Sequence, residues 1–149
     1  MRSAMIRRAA APDAEHLTAL MRRSSAYQGA YASMVSDYQV TAGYLARHRV
    51  FVAVDAGDRP LGFYALVVEP PELDLAFVAD EAQGTGIGRL LMEHMLGEAR
   101  AAGLASVRVV SHPPAEAFYR RLGGERVGTV APSPPKVPWE RPELRFTLG

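Results

Sequence analysis

The chain has 149 residues, 48% of them hydrophobic and 22% charged, which suits one globular domain spanning 1–149 with a substantial core. A formal net charge of +1 gives no bulk attraction to nucleic acid or to an anionic membrane surface. The absence of cysteine excludes disulfides, thiolate catalysis and zinc–thiolate sites, and fits a cytoplasmic setting.

The N-terminal stretch "AMIRRAA" reads as a short strand. "PDAEHLTALMRRSS" follows as a helix, with Pro12 in its first turn and Leu17, Leu20 and Met21 at helical spacing. The next segment holds Tyr27, Tyr31, Tyr38 and Tyr44. It is expected to be helical from Ser36 to Arg47, capped by Ser36 or Asp37. "VFVAVDAGDRPLGFYALVVE" is a hairpin, its two β-rich runs flanking a turn-forming "DAGDRP". "PELDLAFVAD" is a third strand.

A glycine-rich turn, Gly84-x-Gly86-x-Gly88, then opens a helix that runs to about Ala102. Its apolar positions are Ile87, Leu90, Leu91, Met95, Ala99 and Ala102, and Gly103 is placed to cap its end. "LASVRVVS" is a strand, and "PPAEAFYRRLGG" a short helix with Ala115, Phe118, Tyr119 and Leu122 on one face. "ERVGTV" and "ELRFTL" are late strands joined by "APSPPKVPWERP", a loop holding five prolines. The order is mixed α/β, with a hairpin-rich first half that a doubly wound fold would not have. No run of about 18 apolar residues suggests a spanning helix. His16, His48, His94 and His112 are scattered and form no metal-ligand spacing, so no metal site is expected.

The glycines at a helix entrance need a reason, because each weakens the first turn by up to ~1 kcal/mol against alanine. Orphan N–H groups and the helix dipole make such an entrance an anion site, and glycine lets a phosphate approach the backbone closely. Two nucleotide loops fail on spacing. A P-loop requires Gly-Lys-Ser/Thr, whereas Gly88 precedes Arg89 and Leu90. A dinucleotide fingerprint requires G-x-G-x-x-G within a βαβ unit and an acid further on; here the third glycine comes one residue early and "LASVRVVS" has no acid.

Gln83-x-x-Gly86-x-Gly88, after a strand and opening a helix, resembles the acyl-CoA loop of the GNAT superfamily of N-acetyltransferases. A second segment, "SHPPAEAFYRRLGG", is similar to that family's N-x-x-A-x-x-(F/L)-Y-x-(K/R)-x-G-(F/A) pattern, with Ala115, Phe118, Tyr119 and Gly123 in register. His112 stands where asparagine is common, which puts the usual contact of that side chain in question. Gly124 stands where Phe or Ala is common and removes a packing contact. The order of elements matches along essentially the whole chain.

The resemblance implies a central, mostly antiparallel, twisted sheet with about four helices and a V-shaped splay between the strand before the glycine loop and the next one. It implies acetyl-CoA as cosubstrate, held by the loop backbone (Gln83, Gly84, Thr85, Gly86, Ile87, Gly88, Arg89), by the strand end Phe77, Val78 and Ala79, and by His112, Ala115 and Phe118. The Val78 N–H would face the thioester oxygen, and Tyr119 would be the general acid for the leaving thiolate. A base would come from the strand before the loop, where Glu72 and Asp74 share a face with Ala76 and Val78, or from a water held there. Glu72 ranks first, Asp74 second and Glu69 third. Tyr27, Tyr31 and Tyr38 would shape the acceptor pocket, together with Tyr44, and Trp139 would either close that pocket or cap the core. The implied partner is a primary amine of a small molecule or peptide, with no nucleic acid or membrane; a homodimer is compatible. The alternatives are a non-catalytic acyl-CoA-binding module on the same fold and a phosphate-ligand domain unrelated to CoA. The second motif argues against the latter.

Overall fold

The computed structural model describes residues 4–24, 38–135 and 137–149. Seven strands form one sheet in the order β1-β2-β3-β4-β5-β7-β6. They are β1 (Met5–Arg8), β2 (Arg49–Val54), β3 (Pro60–Val67), β4 (Glu72–Val78), β5 (Ser106–Val110), β6 (Glu125–Val130) and β7 (Arg141–Thr147). Among the described residues four α-helices, α1 (Ala14–Arg23), α2 (Ala42–Arg47), α3 (Ile87–Ala101) and α4 (Glu116–Arg121), connect and flank them. Every strand pair is antiparallel except β4 and β5. This is the mixed α/β sheet that the element order implied. No helix among the described residues is long and apolar enough to cross a membrane.

The core sits around β3, which is buried along almost its whole length and reads as a continuous apolar run. β4 alternates strictly, with Leu73, Leu75 and Phe77 buried. Helix α3 covers the sheet with Ile87, Leu91, Met92, Met95 and Ala99. Leu90, expected on that face, is 39% exposed, and Met92 takes its place. At about 100° per residue, the row from Ile87 through Leu91, Met95 and Ala99 defines the buried stripe, and Leu90 falls well outside it. Gly62 on β3 makes the close approach possible, because a Cβ there would lie 2.8 Å from the Phe77 carbonyl oxygen and 3.0 Å from Leu91. Gly103 ends α3 as expected, with φ +76° and the Leu104 N–H donating to the Ala99 carbonyl.

The expected helix from Ser36 is corrected. Of the residues described, α2 begins at Ala42, with the Thr41 side chain accepting from the Tyr44 N–H at 3.1 Å. Val40 cannot join it, because its backbone is committed to α1. Its N–H donates to Thr18 Oγ1 at 2.9 Å, and the same hydroxyl donates to its carbonyl at 3.2 Å. Ser36 and Asp37, proposed as caps, lie outside the described residues.

Tyr64 is fully buried on β3, its hydroxyl 2.8 Å from His94 Nδ1. Burial pushes its phenol above the ordinary tyrosine range. The group stays neutral in the folded chain after it would ionise in the unfolded one. Its contribution to stability is therefore complete below about pH 10 and lost as pH rises beyond that. The melting temperature should fall between pH 9.5 and 11.5 (~), less steeply in Tyr64→Phe. A melting temperature that is flat over that range would contradict this reading.

Candidate active site

β4 and β5 are paired only at Glu72 and Arg108, reinforced by the Arg108 N–H donating to the Pro71 carbonyl at 3.2 Å. Beyond that point they part. On the other edge of β4, the Ala79 N–H donates to the Leu61 carbonyl at 2.8 Å, and Phe77 lies opposite Phe63. Antiparallel alternation then turns the N–H groups of Ala76 and Val78 away from β3 and into the splay. The Val78 carbonyl accepts from Gln83 Nε2 at 3.2 Å, which ties the glycine loop to the strand end.

The three glycines have different tasks. Gly84 and Gly86 have φ of +75° and +86°, and a side chain on either would point into open space. Both adopt a backbone that glycine tolerates best and leave one side of the loop bare. Gly88 is a packing residue, because a Cβ there would come within 3.2 Å of the Phe118 ring. No side chain caps the start of α3, so its first amides face the cleft beside the loop.

A cavity of about 620 Å³ lies along this loop. Ten of the thirteen expected cofactor residues line it: Phe77, Val78, Gln83, Gly84, Gly86, Gly88, Arg89, His112, Ala115 and Phe118. Ala79, Thr85 and Ile87 do not. Ala79 and Ile87 are buried behind the wall, and the Thr85 hydroxyl turns back to the Ala82 carbonyl. The Arg89 side chain pairs with Glu93 at 2.8 Å on the helix surface. A second cavity of about 400 Å³ opens on the other side of the splay, lined by Tyr38, Glu72, Asp74, Arg108, Ser111 and Arg141 among others. Ala76, Phe77, His112 and Tyr119 line both.

Tyr119 is 8% exposed and packs edge-on against Phe118 and Phe146. Burial pushes its phenol up to about 12, so it carries its proton at any working pH. Gly124 leaves no packing gap beside it. A Cβ there would press on the Tyr119 carbonyl at 3.0 Å and on Phe146 at 3.3 Å, so Phe146 fills the space where the family's aromatic or alanine is common.

The two strand acids have different surroundings. Glu72 pairs with Arg108 at 2.7 Å, and Arg108 also holds Glu143 at 3.0 Å. Those carboxylates raise the Arg108 pKa, Glu143 most strongly. Asp74 lines the second cavity, and its Oδ2 accepts from the hydroxyls of Tyr38 at 3.2 Å and Tyr44 at 2.5 Å. Burial, and then the Asp74 charge, pushes the Tyr38 phenol up to about 12. Burial, with the bond to Asp74, raises Tyr44 too, so both remain donors. Glu69 is exposed in the turn before β4 and lines neither cavity. Trp139 likewise lines neither. Tyr27 and Tyr31 lie outside the described residues. The sequence reading missed Arg108, Arg141 and the Tyr44 bond. A lone arginine inside the apolar strand "SVRVV" was the available signal for the first.

The sequence matches the acetyltransferase (GNAT) domain family over residues 13–131. It is 32% identical to the peptidyl-lysine N-acetyltransferase YjaB of Salmonella typhimurium, over 83% of this chain and 84% of that protein. A GCN5-related N-acetyltransferase from Rhodopseudomonas palustris shares the fold with a TM-score of 0.80 at 21% identity, covering 99% of this chain and 98% of the other. So does a phosphinothricin acetyltransferase from Sinorhizobium meliloti solved with AcCoA, with a TM-score of 0.72 at 23% identity over 98% and 89% of the two chains. Splayed sheet, glycine loop and sequence agree: the chain belongs to the GNAT family and is an acetyltransferase.

Proposed function

We propose that this chain transfers the acetyl group of acetyl-CoA directly to a primary amine, with the two cavities holding the two substrates. The observation that carries this reading is their common wall of Ala76, Phe77, His112 and Tyr119. Two substrates can meet only where their sites share residues.

The residues fit the cosubstrate, which supplies an activated acetyl thioester. Gly84 and Gly86 leave room for a pyrophosphate against the loop amides and the start of α3. The outward N–H groups of Ala76 and Val78 suit an extended pantetheine arm, and the Val78 N–H suits the thioester oxygen. On the other side, Asp74 receives the amine. Its Oδ2 is fixed by Tyr38 and Tyr44, and the residue lines the acceptor cavity. Asp74 therefore replaces Glu72 as the first choice for accepting the amine proton, directly or through water, because Glu72 is engaged by Arg108. As the new C–N bond forms and the C–S bond breaks, Tyr119 donates its phenolic proton toward the leaving sulfur. The acceptor is an amine of a small molecule or peptide, in keeping with the lysine side chains named for the Salmonella relative.

Thiol release with acetyl-CoA and a panel of amines tests the activity. Tyr119→Phe should lower kcat ~10²-fold or more while KM for acetyl-CoA barely moves. Its melting temperature should hold, since the hydroxyl makes no protein hydrogen bond among the described residues and the ring keeps its contacts. A folded variant with near wild-type kcat would reduce Tyr119 to a core aromatic. Asp74→Asn should depress kcat/KM most at neutral pH and recover as pH approaches the amine's own pKa, near ~10 for a lysine-type amine. Glu72→Gln should leave the shape of that profile unchanged. The reverse pattern would return the base to Glu72.

A further inference from the structure

The acceptor cavity is lined by four charged side chains, Glu72, Asp74, Arg108 and Arg141. They do not cancel in pairs. Arg108 is shared between Glu72 and Glu143. Asp74 takes its hydrogen bonds from the hydroxyls of Tyr38 and Tyr44, and among the described residues it pairs with no cation. Arg141 meets no carboxylate among the described residues. Among the described residues its one hydrogen bond is a long one, from Nη2 to the Ala131 carbonyl at 3.3 Å. Its Nε is buried and has no hydrogen-bond partner. Native proteins seldom leave a buried donor of a charged group in that condition, and the Nε–Nη edge of a guanidinium matches the two oxygens of a carboxylate.

The register says where this cation stands. On β5 and β7, Arg108 lies opposite Arg145 and Val110 opposite Glu143. The Ser111 N–H donates to the Pro142 carbonyl at 3.0 Å, which continues the same register past the end of β5. One step further places Arg141 across from His112, a residue of the wall common to both cavities. On the other arm of the splay, β4 runs parallel to β5 from Glu72 opposite Arg108, which puts Asp74 two residues along toward the same end. An anion on β4 and a cation on β7, neither in an ion pair among the described residues, thus line one cavity from opposite sides of β5.

We infer that the acceptor is dipolar, its amine directed to Asp74 and a carboxylate of the same molecule bound by Arg141. This rests on the acetyl-transfer reading above and specifies its substrate class. A simple alkylamine would leave Arg141 unanswered, and a polyamine would also bring a second cation toward it. Two sources carry the required chemistry: a free amino acid, or a peptide whose carboxylate lies near its reactive amine.

The test compares amines as free acids and as carboxamides. One arm uses free amino acids, lysine included, and their α-amides; the other uses short lysine peptides with a free or an amidated C-terminus. Thiol release is followed for each, and CoA binding is measured separately by calorimetry. In at least one arm the free acid should be preferred roughly 10-fold or more in kcat/KM, mainly through KM. The responding arm identifies the source. Arg141→Gln should bring acid and carboxamide to nearly equal kcat/KM, and Arg141→Lys should keep part of the preference, both binding CoA as the parent chain does. Equal rates for acid and carboxamide in both arms would overturn the inference, as would a preference that survives Arg141→Gln. Turnover of no carboxylate-bearing amine by a chain that binds CoA would overturn it too, while leaving the CoA half of the functional reading intact. Loss of CoA binding in the parent chain would remove both.

Discussion

Backbone amides require partners, and β4 presents a row of them that its own sheet does not use. β3 claims one edge of the strand in regular antiparallel register, while β5 touches the other edge only at Glu72 and Arg108 before diverging. A continuous sheet would satisfy Ala76 and Val78 at the cost of the cleft. The divergence keeps their N–H groups available at the bottom of a groove whose walls come from α3, α4 and the chain that joins β5 to α4. The ion pairs from Arg108 to Glu72 and Glu143 fasten the vertex of that opening across three strands. Their partial exposure means that their value lies in alignment more than in stability.

What surrounds the opening follows from close contacts at small residues. Gly62 lets α3 lie on β3, Gly88 lets the start of α3 meet Phe118, and Gly124 lets the chain after α4 pass under Phe146 beside Tyr119. Gly84 and Gly86 do something else: they shape a loop with no side chain on one side, next to an uncapped helix. The energetic weakness of a glycine-rich helix entrance is thereby offset in two ways, by packing at one glycine and by an anion-ready surface at two.

Much of this was legible in the sequence because it is local. The hairpin, the glycine loop, the Gly103 cap and the alternation of β4 are set by neighbours within a few residues, and all appear in the fold. The helix expected from Ser36 failed at Val40 because a threonine 22 positions earlier takes both its backbone groups, a contact that no window of propensity can contain. Leu90 was misplaced by reading apolar character without fixing the angular centre of the stripe. The order of Glu72 and Asp74 as bases was read from spacing, whereas what separates them is Arg108, 36 residues away from Glu72, and the hydroxyls of Tyr38 and Tyr44. Arg141 carried no local signal at all. It follows a proline-rich loop, and only the pairing of β5 with β7 brings it to the cleft.

The central claim is that the parted edge of β4 and the bare start of α3 form the CoA surface. Amide hydrogen exchange with and without CoA, resolved to single residues, tests it most directly. The account predicts slowed exchange at Ala76 and Val78 and through Gly84 to Arg89 when CoA is bound, with the β3-facing amides of Leu75 and Phe77 little changed. CoA binding that leaves Val78 and the glycine loop unprotected, or that protects a different surface, would contradict it.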